Sequence, residues 1–341
     1  MRAWLLDRPG PPGSMRMADL PSPWRAPAHH RREVEVLVAV EAVGLNPVDF
    51  RTAGSGHPAW SYPFVPGLDV AGRVVAVHAE AAARRAQGWL LPQPGTRVVF
   101  HQDLRQAGGF AQFVAVAPEA LAVLPPALDP IAAASLPSAG LTALDAVERR
   151  LRQISGQTVL IHGASGGVGS LAVQLAKLFG AKVIATARPE NEQAARALGA
   201  LWVLDYRAPD FADQVRAIAP NGVDALIDTV SSQSATAGLT LLRHAGHLVS
   251  VAGRPDLGTI PAFGLAPTVS EVALGAAYTH GGFDGRRWLA WGLDRLMRLI
   301  VEGHLHPPDI EVIAFEDIPE ALGRMSSGDV DGKLVANLRW R

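Results

Sequence analysis

Hydrophobic and polar positions follow two different patterns along the chain, and the first pattern occupies residues 1 to about 126. Short valine-rich runs are separated there by closely spaced prolines and glycines, as at 35–40, 72–77 and 96–100. Short apolar runs separated in this way predict a barrel-like or irregular β domain. The stretch 79–94, which is rich in alanine and arginine, is interpreted as a surface insertion in that domain.

The second pattern, from about 127 to 280, alternates strand-like runs with helical periodicity. Six apolar runs predict strands, at 159–161, 183–186, 201–205, 224–229, 247–251 and 272–278. Regular alternation of this kind favours an α/β fold with a doubly wound, six-stranded parallel sheet. From about 281 onward, a long amphipathic helix at 288–302 precedes two more strand-like runs, at 311–315 and 333–338.

The first of the six strands leads into a glycine-rich turn, which opens an amphipathic helix. Glycines let a backbone approach a ligand closely, and the N–H groups and dipole of a helix start attract negative charge. The pattern Ala164-x-Gly166-x-x-Gly169 also fits an ordinary strand-to-helix turn, but the strand at 183–186 completes a βαβ unit. The motif therefore predicts a dinucleotide site. Its pyrophosphate contacts would be Ser165, Gly166, Gly167, Val168 and Gly169.

The residues after the second strand set the cofactor preference. An NAD site usually has an acidic residue there for the ribose 2′-hydroxyl, whereas this chain has Arg188. A guanidinium attracts a 2′-phosphate and a carboxylate repels it, so the sequence predicts NADPH, with Arg188 and Lys177 at the 2′-phosphate. In the alternative, Arg188 points into solvent and Glu190 or Glu192 serves the ribose.

Composition narrows the remaining possibilities. A chain of 341 residues exceeds the usual size of a single core and predicts two domains. A net charge of −1 gives no reason to expect a nucleic-acid or membrane partner, and no apolar stretch could span a bilayer. Charge interrupts the N-terminus too early for a signal peptide, so the expected location is cytoplasmic. The absence of cysteine excludes disulfides, thiolate nucleophiles and sulfur-ligated zinc.

Several short motifs occur in a shared order over nearly the whole chain. They are GLNPVD at 44–49, PFVPGLDVAGRV at 63–74, GGFAQF at 108–113, GLTA at 140–143, the glycine turn, and GKLV at 332–335. In this order they resemble the medium-chain dehydrogenase/reductase superfamily and, within it, the zinc-free quinone oxidoreductase branch. The resemblance implies a GroES-like catalytic domain at 1–126, completed by 281–341, and a Rossmann domain at 127–280.

The resemblance also indicates that no metal is bound. Zinc alcohol dehydrogenases of this superfamily hold catalytic zinc with cysteine and histidine, and a structural zinc with four clustered cysteines. The corresponding positions here hold Asn46 and Leu68, and the cysteine-bearing lobe is missing. None of the eleven histidines shows ligand spacing with a partner carboxylate.

Without a metal, the cofactor and the pocket must supply the chemistry. We therefore expect an NADPH-dependent reductase of a small electrophilic substrate, a quinone or an α,β-unsaturated carbonyl compound, which conjugation already activates. One alternative is a zinc-independent alcohol dehydrogenase, although that reaction needs a strong base or Lewis acid at the hydroxyl. The other is a non-catalytic NADP(H)-binding redox sensor, because no single indispensable catalytic residue is visible.

The resemblance places the candidate substrate residues on the 44–49 motif and just after it. Asn46 would lie near the nicotinamide and bind substrate or cofactor; an equal alternative is that it braces its own loop. Relatives often have tyrosines further on, where this chain has Arg51 and His57. These become candidates for binding an oxyanion and for donating a proton, although His57 also fits an exposed loop position. Tyr62 either walls the pocket or packs under the loop.

Further cofactor contacts follow from the same resemblance. Thr142 would contact the nicotinamide; in the alternative, its hydroxyl only stabilises the start of a helix. Lys333 would contact the cofactor phosphates; in the alternative, it lies at the protein surface. Residues that end the fourth and fifth strands are expected at the ligand-binding edge of the sheet, and they are Thr229, Val251, Ala252 and Gly253. The run 272–278 would form the outer strand through which such proteins pair, which predicts a homodimer.

Overall fold

The protein is described by a computed structural model, which covers residues 1–23, 36–78 and 91–338. The chain forms two compact units. The first unit consists of Met1–Ser138, Leu274–Gly303 and Asp309–Arg341, and the second of Ala139–Ala273 and His304–Pro308. The domain boundaries expected from the sequence, at 126/127 and 280/281, stay a prediction. Most of the 79–94 insertion, and Glu35 at the start of the first strand-like run, lie outside the described residues.

Fifteen strands are found in the described part of the chain. They are β1 (Arg2–Leu5), β2 (Arg16–Asp19), β3 (Val36–Gly44), β4 (Asp69–Val77), β5 (Arg97–His101), β6 (Phe113–Val116), β7 (Ala122–Val123), β8 (Thr158–His162), β9 (Lys182–Thr186), β10 (Trp202–Leu204), β11 (Val223–Asp228), β12 (Leu242–Ser250), β13 (Thr268–Glu271), β14 (Ile310–Ala314) and β15 (Lys333–Asn337). In the first unit, β1 and β2 form an antiparallel pair. The larger sheet of that unit has the order β14-β15-β3-β4-β5-β7, with β6 paired to β3.

Ten α-helices connect these strands within the described ranges. They are α1 (Pro47–Ser55), α2 (Pro130–Ala134), α3 (Pro137–Leu144), α4 (Gly167–Leu178), α5 (Glu192–Leu198), α6 (Phe211–Ile218), α7 (Ser232–Gly238), α8 (Ala276–Thr279), α9 (Gly282–Val301) and α10 (Ile318–Ser327). The helix predicted at 288–302 is therefore α9, which begins six residues earlier. None of the described helices has both the length and the apolar composition that a membrane span requires.

The second unit contains a six-stranded sheet in the order β10-β9-β8-β11-β12-β13. All five neighbouring pairs are parallel, and this confirms the α/β fold and the doubly wound sheet expected from the sequence. The central strand β8 is apolar because helices cover both faces of such a sheet. Accordingly Val159, Leu160 and Ile161 have no exposed surface.

The sixth strand of this sheet does not lie where the sequence placed it. The apolar run 272–278 was expected to form the outer strand, but β13 is Thr268–Glu271, and Ala276–Thr279 forms α8. An edge strand is paired on one side only, so its side chains are less buried and its apolar pattern is weak. Tyr278 belongs instead to the first unit, where it is 5% exposed and its hydroxyl donates to the backbone oxygen of His101.

Candidate functional site

The glycine-rich turn joins β8 to α4, and its glycines meet different requirements. Gly163 has a φ of +78°, and a Cβ at this position would lie 2.6 Å from Thr229 Oγ1. A Cβ on Gly169 would collide with the backbone of Gly163 and Ala164, so this glycine allows the helix to pack on the turn. A Cβ on Gly166 would meet only Gly163 O, at 3.5 Å. The protein therefore leaves space at Gly166, and this space suits the close approach of a phosphate.

The N-terminus of α4 provides donors at the same place. Gly166 precedes the helix with an extended backbone (φ −77°, ψ 165°), and no side chain caps the helix. The first N–H groups of an α-helix have no partner inside the helix, so those of Gly167, Val168 and Gly169 are directed at whatever lies before it. Together with the helix dipole, these groups fit a pyrophosphate.

Thr186, the last residue of β9, and Thr229 hold the turn in place. Thr186 Oγ1 accepts a hydrogen bond from Gly163 N at 3.1 Å and lies 3.3 Å from His162 Nδ1. Thr229 Oγ1 donates to His162 O at 2.7 Å, so this predicted cofactor residue fixes the end of β8. Burial lowers the pKa of His162 and the nearby charge of Asp228 only partly opposes the shift, which favours a neutral imidazole.

A cavity of about 990 Å³ opens in the second unit beside this turn. The predicted residues Ser165 and Arg188 line it, together with His162, Tyr206 and Arg254. The volume is that of a typical ligand or cofactor pocket. Sequence reasoning missed His162 and Tyr206. The available signal was their position at the carboxyl ends of parallel strands, since His162 ends β8 and Tyr206 comes two residues after β10.

The two predicted 2′-phosphate residues lie in different surroundings. Arg188 follows β9 and its Nε lies 3.3 Å from Glu190 Oε1, with 37% and 59% of the two side chains exposed. Such exposed ion pairs are weak, so a phosphate can compete with Glu190 for the guanidinium. Lys177 is exposed in the last turn of α4, and its aliphatic part packs against Gly199. The described residues that line the cavity do not include Lys177.

The remaining predicted cofactor residues of the second unit occupy strand and helix ends. Thr142 is 7% exposed within α3. Val251, Ala252 and Gly253 follow β12, where Val251 N donates to Asp228 O at 2.9 Å. The contacts of these four residues with a cofactor stay predictions.

In the first unit, Asn46 precedes α1 and lies at the centre of a buried polar cluster. Asp49 Oδ2 accepts a hydrogen bond from Asn46 N at 2.8 Å. Lys333 Nζ donates to Asn46 Oδ1 at 2.6 Å, to Leu45 O at 3.0 Å and to Asp69 Oδ2 at 3.2 Å. Lys333 was expected at the cofactor phosphates; that contact stays a prediction, and in this structure its ammonium is bound by the protein itself.

Two buried carboxyl groups, those of Asp69 and Asp49, belong to this cluster. Asp69 is fully buried, and its Oδ1 accepts bonds from Ser138 N at 2.9 Å and from Ser138 Oγ at 2.6 Å. Burial, followed by the charge of Asp69, raises the pKa of Asp49 to about 8, although hydrogen bonding by Asn46 and the charge of Lys333 act against this rise. Near pH 7, Asp49 is therefore mostly protonated beside the ion pair of Lys333 and Asp69. Sequence analysis had assigned no functional role to Asp49 or to Asp69.

The other predicted substrate residues do not join this cluster. Arg51 is exposed, with its guanidinium carbon 5.9 Å from the ring centroid of Phe50. His57 Nδ1 accepts a hydrogen bond from Ala59 N at 3.1 Å. Tyr62 is half-buried, and its hydroxyl oxygen is buried without a hydrogen-bond partner among the described residues. The substrate roles of Arg51, His57 and Tyr62 stay predictions.

Two family models match separate parts of the chain. The model described as "Alcohol dehydrogenase GroES-like domain" matches residues 32–126. The model described as "Zinc-binding dehydrogenase" matches residues 167–277, beginning at the first residue of α4. Together the two matches cover more than half of the chain.

Known proteins match over still longer stretches. Quinone oxidoreductase from pig (Sus scrofa) is 33% identical over 233 residues, which are 67% of this chain and 68% of that protein. The trans-enoyl reductase tndF of Aspergillus flavipes is 34% identical over 297 residues, which are 80% of this chain and 82% of that protein. The solved structure of the quinone oxidoreductase from Coxiella burnetii has a TM-score of 0.82 at 28% identity and covers 99% of both chains.

The chain belongs to the medium-chain dehydrogenase/reductase superfamily. This confirms the resemblance seen in the sequence, including its quinone oxidoreductase-like character, and the combination of a GroES-like domain with a Rossmann domain. A medium-chain dehydrogenase/reductase is an oxidoreductase that binds NAD or NADP, and the glycine turn, the start of α4 and the adjoining cavity fit such a cofactor.

Membership in the superfamily does not decide whether this chain binds zinc, which depends on its own residues. Within residues 1–23, 36–78 and 91–338, no group of three or more His, Cys, Asp or Glu side chains is arranged to hold a metal ion. In this medium-chain dehydrogenase/reductase, the side-chain oxygen of Asn46 is hydrogen-bonded to an ammonium group instead. Zinc independence stays a prediction.

Proposed function

We propose that this protein is an NADPH-dependent reductase that transfers a hydride, without zinc, to quinones or α,β-unsaturated carbonyl compounds. The observation that carries the proposal is the position of Arg188 in the wall of the cavity beside the glycine turn. A guanidinium in this position attracts the 2′-phosphate that distinguishes NADPH from NADH. The names of the relatives, quinone oxidoreductase and trans-enoyl reductase, support the class of acceptor.

The second unit would hold the cofactor through three groups of contacts. The N–H groups at the start of α4 would bind the pyrophosphate, next to the open side of Gly166. Arg188 would bind the 2′-phosphate, and the Tyr206 hydroxyl and Ser165 would supply further polar contacts from the same cavity wall. When bound, NADPH supplies the hydride for the reaction.

In the first unit, Asn46 is the residue that we propose contacts the hydride acceptor. Reduction places negative charge on the acceptor oxygen, and a fixed hydrogen-bond donor stabilises that charge. His57 is the candidate proton donor, and it would act as the imidazolium, which releases the Nε2 proton and returns to the neutral ring. To reach that form it takes up a proton at Nδ1, where it now accepts a hydrogen bond from Ala59 N. Water is the alternative source of this proton.

We further propose that zinc has no part in the reaction. A metal ion at this place would need ligands with available lone pairs directed at one point. Asn46 Oδ1 already accepts a 2.6 Å bond from Lys333, and Leu68 has no donor atom. The buried ammonium also repels a divalent cation.

A substrate panel, followed by NADPH absorbance, tests the proposed function. Benzoquinones, naphthoquinones, enals and enones should oxidise NADPH faster than simple aldehydes do. Secondary alcohols with NADP⁺ should react more slowly than any of them. Faster turnover of alcohols would favour the zinc-independent alcohol dehydrogenase. Tight NADPH binding without oxidation by any acceptor would favour the redox sensor and overturn the reductase.

We also propose that two copies pair through the outer edge of the second unit's sheet. The expected strand at 272–278 is replaced in this role by β13, which pairs with β12 alone among the described strands. An edge strand of this kind presents unpaired N–H and C=O groups to a second copy. Light scattering during size-exclusion chromatography should give twice the chain mass, and a monomer mass would contradict the pairing.

A further inference from the structure

Lys333 is an unusual lysine because its ammonium group is buried and fully engaged. Its residue exposure is 4%. Nζ donates to Leu45 O at 3.0 Å, to Asn46 Oδ1 at 2.6 Å and to Asp69 Oδ2 at 3.2 Å. An ammonium group has three hydrogens, so these three acceptors use all of them. No donor is left for a cofactor phosphate unless one of these bonds breaks.

The position of this ammonium is set by the sheet of the first unit. Lys333 begins β15, which runs antiparallel to β3, and Asp69 begins β4 on the other side of β3. The counter-ion cannot turn away easily, because Ser138 donates two hydrogen bonds to its Oδ1 atom. The pair formed by Lys333 and Asp69 is therefore a rigid support rather than a mobile surface ion pair.

The ammonium determines which way the Asn46 amide faces. Its bond to Oδ1 directs the Nδ2 amino group to the opposite side, where Nδ2 donates a long 3.4 Å bond to Gly44 O. A hydrogen bond from the Asn46 side chain also lowers the pKa of Asp49, so the second Nδ2 hydrogen is engaged by that carboxyl group. The long bond to Gly44 O is therefore the one that a ligand oxygen would replace. A flipped amide would bring N–H groups against an ammonium, and this arrangement is unfavourable.

The same bond changes the strength of Asn46 as a donor. A cation that binds the oxygen of an amide draws electron density away from its nitrogen. Hydrogen bonds in such a chain strengthen one another, most effectively where water is excluded. Asn46 is 5% exposed and Asp69 is fully buried, so this condition is met.

We infer that Lys333 is a positioning residue for the reaction: it holds and polarises the Asn46 amide, so that Nδ2 is a hydrogen-bond donor to the oxygen of the acceptor. This inference rests on the proposed function, because it takes Asn46 as the residue that touches the acceptor. It assigns Lys333 to the substrate side of the chemistry instead of to the cofactor phosphates. It also requires that the ligand atom opposite Asn46 be a hydrogen-bond acceptor, such as a carbonyl oxygen.

The first test observes the amide without any assay of activity. The chain contains four asparagines, Asn46, Asn191, Asn221 and Asn337, so selective ¹⁵N labelling gives four pairs of side-chain amide signals. Lys333→Met should move the Asn46 pair further than it moves any of the other three. Lys182→Met, at an exposed lysine in the second unit, should move none of them.

A second variant guards against unfolding, since Lys333→Met leaves Asp69 without its cation. The double variant Asp69→Asn/Lys333→Met removes both charges, and the new amide oxygen can still accept the bonds from Ser138. Its Asn46 signals should move as they do in Lys333→Met. If the Asn46 signals stay unmoved in either folded variant, the inference is overturned.

The second test is a kinetic double-mutant cycle with Asn46→Ala. Lys333→Met should lower kcat for a quinone or enone by about 10- to 100-fold while the Kd for NADPH stays within about 2-fold of wild type. Adding Lys333→Met to Asn46→Ala should lower kcat only slightly further, because both changes remove the same interaction. The inference would be overturned in favour of a phosphate contact if Lys333→Met weakened NADPH binding by as large a factor as it lowered kcat. It would also be overturned if the losses of kcat in the two single variants multiplied in the double variant.

The two tests also separate this inference from the proposed function. If the wild-type protein reduces no acceptor on the panel, the proposed function fails and the amide signals alone decide the position of Asn46. If the wild type is an active reductase but Asn46→Ala has full activity, the reductase function stands, whereas the contact of Asn46 with the acceptor and the inference built on it both fail.

Discussion

Asp49 accepts the backbone N–H of Asn46 through Oδ2 at 2.8 Å, in a place where Asp49 is only 2% exposed. Burial is the main reason that its pKa rises to about 8, and the charge of Asp69 adds to the rise. The hydrogen bond from Asn46 and the charge of Lys333 oppose it without reversing it. The folded protein therefore keeps a proton that the unfolded chain releases near its ordinary pKa of 3.8.

This proton makes stability depend on pH in a defined direction. The contribution of Asp49 is complete below its unfolded pKa and is lost as the pH rises towards about 8, by at most about 1.4 kcal/mol per pH unit. Asp49→Asn cannot titrate, and its side-chain oxygen can still accept the Asn46 N–H. Urea unfolding should show that the free energy of unfolding of Asp49→Asn, relative to that of the wild type, rises by about 1–3 kcal/mol between pH 5 and pH 8.

Asp19→Asn is the matched control for this comparison, because Asp19 is exposed at the end of β2. It measures what the loss of one exposed carboxyl group does to the same urea-unfolding curves. Parallel pH curves for Asp49→Asn and the wild type would show that Asp49 is ionised in the folded protein.

Two glycines of the turn should respond differently to the same substitution. Gly166→Ala meets no protein atom closer than 3.5 Å, so the melting temperature should stay within about 2 °C while NADPH binding weakens by about 10-fold or more. Gly169→Ala collides with the backbone of Gly163 and Ala164, so it should lower the melting temperature as well. Thermal unfolding and NADPH titration measure both effects.

Gly323→Ala serves as the control for the glycine pair. Gly323 lies inside α10 with open space around its Cβ position, so alanine should leave binding unchanged and raise stability by about 0.5–1 kcal/mol. If Gly166→Ala bound NADPH as tightly as the wild type, the pyrophosphate would have to lie elsewhere.

Cofactor preference should depend on Arg188. Arg188→Asp replaces an attractive charge by a repulsive one in the cavity wall, so the preference for NADPH over NADH should fall by about 100-fold or reverse. Affinities for both cofactors, measured by titration, give the ratio directly. Arg196→Asp tests the general effect of charge, because Arg196 pairs with Glu192 and is not among the described residues that line the cavity. An unchanged ratio in Arg188→Asp would refute its assignment to the 2′-phosphate.

The protein should need no zinc. Purified without added metal, it should contain far less than one zinc per chain, and strong chelators should leave its NADPH oxidation rate unchanged. The physical reason is the Lys333 ammonium, which already occupies the side-chain oxygen of Asn46. Elemental analysis with one zinc per chain, together with loss of activity on chelation, would contradict the zinc-free proposal.

Much of the second unit could be predicted from the sequence because its signals are local. A buried parallel strand is apolar throughout, and the glycines that follow it mark the turn, so β8, the turn and α4 all appear where expected. The position of β13 could not be predicted in this way. The more apolar run, 272–278, was taken for the strand, but part of it forms α8, and Tyr278 bonds to His101 far away in the chain.

The sequence by itself determined the class of protein, the cofactor-binding turn and a set of candidate residues, because each depends on neighbours within a few positions. Only the tertiary structure decided what those residues touch. Lys333 meets Asn46 across 287 positions and Asp69 across 264, and both bonds exist because β15, β3 and β4 are adjacent in one sheet. Burial at that place raises the pKa of Asp49, and the Lys333 ammonium donates to the side-chain oxygen of Asn46. Neither effect can be predicted from neighbouring residues in the sequence, because both arise where the fold brings charged groups together and excludes water from them.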